Sequence, residues 1–112
     1  MHLKNFSVLS TREGIDRLSP AYDQLSTRLV IPDDDLALAV RGKRTKLSRA
    51  DWLAFGDYSG LPARACERVL AGTAALVTDA RSLIDHSFLD RDQRDAYRTL
   101  LEDRARVLAS AG

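Results

Sequence analysis

Residues 62–84 read PARACERVLAGTAALVTDARSLI, and this stretch decides the fold class. Apolar and small side chains recur in it at intervals of three and four residues, which is the spacing of one face of an α-helix. Pro62 suits the first turn of a helix, where a missing N–H costs nothing. We predict one long helix over 62–84, whose apolar stripe comprises Cys66, Val69, Leu70, Thr73, Leu76, Val77, Ala80, Leu83 and Ile84.

Helices are also predicted on both sides of this stretch. Ser48 is a good N-cap, and Asp51 in the following turn favours the positive end of the helix dipole. Gly56 is expected to weaken the end of that helix. Asp90 can cap a further helix. Its predicted stripe comprises Tyr97, Leu100, Leu101, Arg104, Val107 and Leu108.

The amino-terminal third has the pattern of short strands and turns. Residues 6–9 and 17–19 predict the two strands of a β-hairpin, and Pro20 should end the second one. The apolar runs 29–31 and 36–40 are also short enough to be extended segments. We therefore predict a mostly α fold, with an amino-terminal β-hairpin followed by about three helices.

Length and composition agree with a single small domain. The chain has 112 residues, 45% of them hydrophobic, with a net charge of +1. This balance is typical of a folded domain and gives no global field for nucleic acid or membranes. We predict one domain over 1–112, with a hairpin and loop region at 1–45 and a helical region at 46–112. The single cysteine excludes an internal disulfide. The sequence has no recognisable signal peptide and no apolar run long enough to span a membrane. We therefore expect a cytoplasmic location.

Two polar residues flank the predicted hairpin. Asn5 precedes its first strand and Asp23 follows its second. Because a hairpin brings its two ends together, an amide oxygen and a carboxylate could face one point. Mg²⁺ in proteins is held by few protein oxygens together with phosphates and water, so this pair could serve as its ligands. Asn and Asp beside strands also form turns, and spacing alone leaves that alternative open.

The sequence around these two residues resembles a known family. Residues 1–7, MHLKNFS, are similar to the catalytic loop of HipA-family bacterial Ser/Thr kinases, Asp-x-His-x-Lys-Asn followed by Phe-Ser, without its Asp. Residues 18–23, LSPAYD, resemble the family's metal-binding segment Leu-x-Pro-x-Tyr-Asp. The similarity continues to about residue 90 and implies the later part of a kinase C-lobe.

The resemblance implies roles for particular positions. Asn5 and Asp23 would bind Mg²⁺, Lys4 would lie near the transferred phosphate, and His2 would support the catalytic loop. Pro20 and Tyr22 would shape the segment that holds Asp23. The intact family enzyme uses ATP and Mg²⁺ to phosphorylate protein Ser or Thr and acts as the toxin of a toxin–antitoxin pair.

The resemblance also predicts what this sequence lacks. The family's catalytic Asp would precede Met1, as would the nucleotide-binding lobe. We therefore expect the chain alone to be inactive and to bind neither ATP nor Mg²⁺ tightly. The implied partners are a helix-turn-helix antitoxin of the HipB type and an upstream kinase half, with no direct nucleic acid and no membrane. The alternative is a free-standing, non-catalytic module that binds an antitoxin or completes a split kinase.

Other candidate sites have simpler explanations. The basic residues between Arg41 and Arg49 lack interleaved aromatic residues, which favours a solvated turn over a nucleic-acid site. Cys66 lies on the apolar stripe and is expected in the core. The adjacent residues 85–87, Asp-His-Ser, do not by themselves make a catalytic triad. The aromatic residues Trp52, Phe55 and Tyr58 are expected to pack in the core.

Overall fold

The computed structural model describes residues 3–109 and divides the chain into two compact units. The amino-terminal unit comprises Met1–Ala39, and the helical unit comprises Val40–Gly112. The predicted fold class is confirmed, because a two-stranded hairpin precedes a helical region. The prediction that residues 1–112 form a single domain stays a prediction.

A short antiparallel hairpin organises the amino-terminal unit. Its strands are β1 (Val8–Ser10) and β2 (Asp16–Leu18), paired so that Val8 lies opposite Leu18. The connecting turn has Gly14 at a φ of 74°, a conformation that glycine adopts without steric cost. The hairpin is confirmed, although the first strand begins two residues later than residue 6.

The two other extended segments predicted for the amino-terminal third are wrong. Thr27–Leu29 forms a 3₁₀ turn, in which the Thr27 carbonyl accepts hydrogen bonds from the N–H groups of Val30 and Ile31. In the run 36–40, Val40 alone makes a bridge, and its partner is Lys43. This bridge is isolated, and residues 36–39 pair with no neighbouring segment, so the run 36–40 is not a strand.

The first helix of the helical unit begins where the sequence predicts. Helix α1 spans Arg49–Tyr58 and has Ser48 as its N-cap. The Ser48 hydroxyl accepts a hydrogen bond from the Asp51 N–H at 3.2 Å, and the Asp51 carboxylate accepts one from the Ser48 N–H at 2.8 Å. This reciprocal capping box satisfies two backbone donors that the helix itself cannot. Tyr58 is 83% exposed and Phe55 39%, so their predicted places in the core are wrong, whereas Trp52 is half-buried.

The long helix predicted over 62–84 is interrupted at Leu76. It forms α2 (Ala63–Ala75) and α3 (Val77–Asp85). The Leu76 N–H bonds to the Thr73 carbonyl, one residue nearer than in a regular α-helix. The Thr73 hydroxyl also donates to the Val69 carbonyl at 2.8 Å, a contact that tends to bend helices.

The last helix packs on the other three. Helix α4 spans Arg91–Ala109 and contacts α1, α2 and α3. Asp90 caps it as predicted, since its carboxylate accepts a hydrogen bond from the Gln93 N–H at 2.8 Å. Between α3 and α4, the Asp85 carboxylate pairs with Arg98. Among residues 3–109, Val40 and Ile84 are the buried hydrophobic side chains. The apolar residues of the α4 stripe are half-buried, whereas four residues of the predicted 62–84 stripe are exposed: Val69, Thr73, Leu76 and Leu83.

No helix within residues 3–109 has both the length and the apolar character that crossing a membrane requires.

Candidate functional site

The two ends of the hairpin are held together beyond the paired strands. The Ser19 N–H donates to the Ser7 carbonyl at 2.8 Å, and the Ser7 hydroxyl donates to the Ser19 hydroxyl at 2.9 Å. The ladder therefore continues one residue past Val8 and Leu18, toward the segments that carry the predicted ligands. As a result, the residues before β1 and those after β2 leave the hairpin side by side.

Asn5 lies on the first of these segments. It ends the 3₁₀ turn Leu3–Asn5, which is closed by a hydrogen bond from the Phe6 N–H to the Leu3 carbonyl at 3.1 Å. Its side chain is half-buried, whereas the neighbouring Lys4 is exposed. The turn fixes the backbone of Asn5 just before the chain enters β1.

Asp23 lies on the second segment, five residues after β2 ends. Its φ of 52° is in the left-handed region, which Asp tolerates better than most residues. The side chain is exposed. Within residues 3–109, no hydrogen bond or ion pair engages its carboxylate, which therefore remains available as a ligand.

A hydrogen bond between the two segments joins the neighbours of these residues. The Tyr22 hydroxyl donates to the Lys4 carbonyl at 2.8 Å. Tyr22 directly precedes Asp23, and Lys4 directly precedes Asn5. Motif spacing shows where the two candidate ligands lie in the sequence, but this contact has no signal in the local sequence. Tyr22 thus has a definite structural part in this region.

The remaining residues of the predicted site are less informative. Pro20 is exposed, and its carbonyl accepts a hydrogen bond from the Ser19 hydroxyl at 3.2 Å. His2 lies outside the described residues.

The donor chemistry of Asn5 and Asp23 fits magnesium. An amide oxygen and a carboxylate are hard donors, and Mg²⁺ often takes only one or two protein ligands, completing its shell with water and phosphate. Within residues 3–109, no group of three His, Cys, Asp or Glu side chains is arranged to hold a metal ion.

Residues 85–87 are engaged in the end of α3 and its packing. His86 Nδ1 lies 2.7 Å from the Ser82 carbonyl, and the Ser87 hydroxyl donates to the Ile84 carbonyl at 2.7 Å. The Asp85 carboxylate pairs with Arg98 instead of His86. Cys66 is half-buried beneath α1, in agreement with a packing role.

The family profile of the HipA-like C-terminal domain matches residues 1–81. The chain belongs to the HipA-like C-terminal domain family. The match includes Asn5, Asp23, the hairpin, α1 and α2, and it ends within α3, so α4 lies beyond it. Among curated proteins, none matches the chain.

The family match confirms the resemblance to HipA-family proteins that the two motifs indicated. The general function of the HipA family is that of a kinase toxin. The matched range contains both candidate metal ligands and the Tyr22–Lys4 contact, so the site can be considered as part of a HipA-like protein.

Proposed function

We propose that this chain is the carboxyl-terminal portion of a HipA-like protein kinase. The proposed reaction transfers a phosphoryl group from ATP to a Ser or Thr hydroxyl of a protein, and the proposed biological role is that of a toxin. Three observations support it together: the family match, the two motifs, and the hydrogen bond between Tyr22 and Lys4. That hydrogen bond carries the proposal, because it joins the segments on which both proposed ligands lie.

The proposed roles follow from the chemistry of each side chain. The amide oxygen of Asn5 and the carboxylate of Asp23 would hold Mg²⁺, which neutralises phosphate charge during phosphoryl transfer. The exposed ammonium of Lys4 would contribute positive charge near the phosphate. Tyr22 would act indirectly, by keeping the segment that carries Asp23 beside the 3₁₀ turn.

The proposed ligands can be tested without an activity assay. We suggest adding Mn²⁺, a paramagnetic substitute for Mg²⁺, to the ¹⁵N-labelled chain and recording amide spectra. We expect broadening to begin near residues 5 and 23, which are distant in sequence. Asp23→Asn should reduce it at both places, because removal of one ligand from a shared site weakens binding at the other.

Asp33→Asn is the matched control. Asp33 is also exposed, belongs to the same unit and has a left-handed φ of 59°. This variant removes the same charge and should leave broadening near residue 5 unchanged. Broadening that is centred on residues 33–35, or that Asp23→Asn does not alter at residue 5, would contradict the proposed metal site.

A second candidate function is a non-catalytic interaction module. Exposed apolar residues on α2, on α3 and at the break between them favour it: Val69 is 65% exposed, Leu76 59% and Leu83 74%. Apolar side chains grouped on one face often mark a protein contact. Calorimetry separates the two functions: the module should bind a helix-turn-helix antitoxin and show no heat with Mg²⁺ and ATP. A kinase completed by its remaining part should bind the nucleotide.

A further inference from the structure

The residues before α1 form a tight turn that has an arginine at its first central position. The N–H of Val40 donates to the Lys43 carbonyl at 2.9 Å, and the N–H of Lys43 donates to the Val40 carbonyl at 3.0 Å. Between them, Arg41 has a φ of 49° and Gly42 a φ of 79°. Two successive left-handed residues indicate a type I′ turn, whose first position favours Asn, Asp or Gly. Here that position holds arginine.

A second basic residue in the same loop is also in the left-handed region. Lys46 has a φ of 51°. Residues with a Cβ pay a steric cost in this conformation, and such strain tends to persist at ligand contacts, where the surrounding structure holds it. We call residues 41–46 the basic loop. It thus has two strained positions, and both carry a cation.

Two other cations, Lys43 within the basic loop and Arg49 just after it, have partners in the helical unit. Lys43 Nζ lies 2.7 and 2.9 Å from the two carboxylate oxygens of Asp51, which anchors the loop to the first turn of α1. The Arg49 guanidinium donates to the Leu108 carbonyl at 2.7 Å. The Lys43 contact holds the loop against α1 without neutralising its other cations.

Three cations of the basic loop remain uncompensated. Arg41, Arg44 and Lys46 are exposed, and none has an ion pair or hydrogen bond with another side chain in residues 3–109. Asp51 is already occupied by Lys43 and by the capping box. The loop therefore presents three positive charges on an anchored backbone.

Two of the three acidic residues in the run 33–35 already have partners in the amino-terminal unit. The Thr27 hydroxyl donates to the Asp34 carboxylate, and Arg28 pairs with Asp35 at 3.6 Å.

We propose that the basic loop binds an acidic segment of a partner protein. Carboxylates suit it, because Lys43 of the same loop already holds one with both oxygens. A nucleic acid suits it less, since the net charge of the chain is only +1 and the loop has no aromatic residue for stacking on bases. This inference does not depend on the proposed metal site, which lies in the amino-terminal unit.

The test uses a labelled acidic peptide. Fluorescence anisotropy at low ionic strength would compare a fluorescein-labelled peptide of ten glutamates with a neutral peptide of ten glutamines and with a labelled DNA duplex. We expect the acidic peptide to bind most tightly. The combined variant Arg41→Gln, Arg44→Gln and Lys46→Gln should weaken this binding about tenfold or more, as expected for the loss of three ionic contacts.

A second triple variant controls for net charge. Arg64→Gln, Arg68→Gln and Arg91→Gln remove three exposed cations from α2 and α4, so both variants lose the same charge. A less than threefold loss of affinity in this control would support a local site on the basic loop.

Three results would overturn the proposal: equal losses in the two triple variants, tighter binding of the duplex than of the acidic peptide, and no preference for the acidic peptide over the neutral one. Circular dichroism should show the same helix content in both variants and the parent chain, because all six side chains are exposed.

Discussion

Gly56 has a role at the residue scale that its position near the end of α1 does not suggest. It is buried, and a Cβ at this position would lie 2.3 Å from Cys66 Sγ on α2. Real Cβ atoms do not approach a sulfur so closely, so the absence of a side chain allows α1 and α2 to pack here. The glycine expected only to weaken a helix thus contributes to helix packing.

Replacement of Gly56 by alanine should therefore destabilise the helical unit. We expect Gly56→Ala to lower the free energy of unfolding by about 1–3 kcal/mol, because the added methyl group overpacks the contact with Cys66. Urea denaturation followed by circular dichroism measures the change. Combining Gly56→Ala with Cys66→Ala should restore most of the loss, since the sulfur is then absent.

Gly72→Ala is the matched control for this prediction. Gly72 also lies inside a helix, and a Cβ there would meet no atom within 4 Å. This variant should raise the free energy of unfolding by roughly 0.5–1 kcal/mol, because alanine favours helices over glycine. If both glycine variants were stabilised alike, the close contact with Cys66 would not exist in solution.

The sequence predicts residues with local roles better than residues with distant partners. Ser48 and Asp90 are recognised as helix caps, because their partners lie three residues away. Motif spacing also indicates Asn5 and Asp23 as a candidate pair. The contacts Gly56–Cys66 and Tyr22–Lys4 join residues that lie 10 and 18 positions apart, and no local pattern encodes them.

At the element scale, the start of α1 depends on one carboxylate. Asp51 accepts hydrogen bonds from Lys43 and from both the N–H and the hydroxyl of Ser48. These donors, Lys43 foremost, lower the pKa of Asp51 from 3.8 to about 2. One side chain thereby caps the helix and anchors the basic loop beside it.

Stability should consequently depend on Asp51 in acid. Because its pKa is lower in the folded chain than the ordinary 3.8, folding favours the ionised form. The stability that ionised Asp51 contributes is complete above pH 4 and should be lost as the pH falls from about 4 to about 2. Thermal unfolding at several pH values should show a steeper decline for the parent chain than for Asp51→Asn.

Asp57→Asn on the same helix provides the control for this pH profile. Its side chain is exposed and makes no hydrogen bond or ion pair within residues 3–109, so its profile should follow that of the parent chain. Parallel profiles for the parent chain and Asp51→Asn would contradict the assigned role of Asp51.

The periodicity of 62–84 predicts helical structure correctly but does not predict the interruption at Leu76. Apolar spacing records which side of a helix faces the core, and a one-residue tightening changes that spacing little. The Thr73 hydroxyl bonds to the Val69 carbonyl just before the interruption, but the Thr99 hydroxyl makes the same contact with the Asp95 carbonyl inside the unbroken α4. Since threonine is also common in regular helices, its presence alone does not indicate a bend.

At the scale of the whole molecule, the two units differ in how much apolar surface their elements cover. In the amino-terminal unit, the cross-strand neighbours Val8 and Leu18 are 63% and 65% exposed. A two-stranded hairpin with so little burial is marginal in water. In the helical unit, three helices pack against α4, and Ile84 of α3 is buried.

Hydrogen exchange should therefore distinguish the two units. We expect backbone amides in residues 3–39 to exchange more than about tenfold faster than those in 63–85, because opening a small hairpin exposes little apolar surface. Mass spectrometry of peptides from each range measures the rates, and two protein concentrations tenfold apart test for self-association. Protection that is equal in the two units at both concentrations would show that the hairpin is stabilised within the monomer. Protection of residues 3–39 that increases with concentration would instead indicate that a second copy covers the exposed strands.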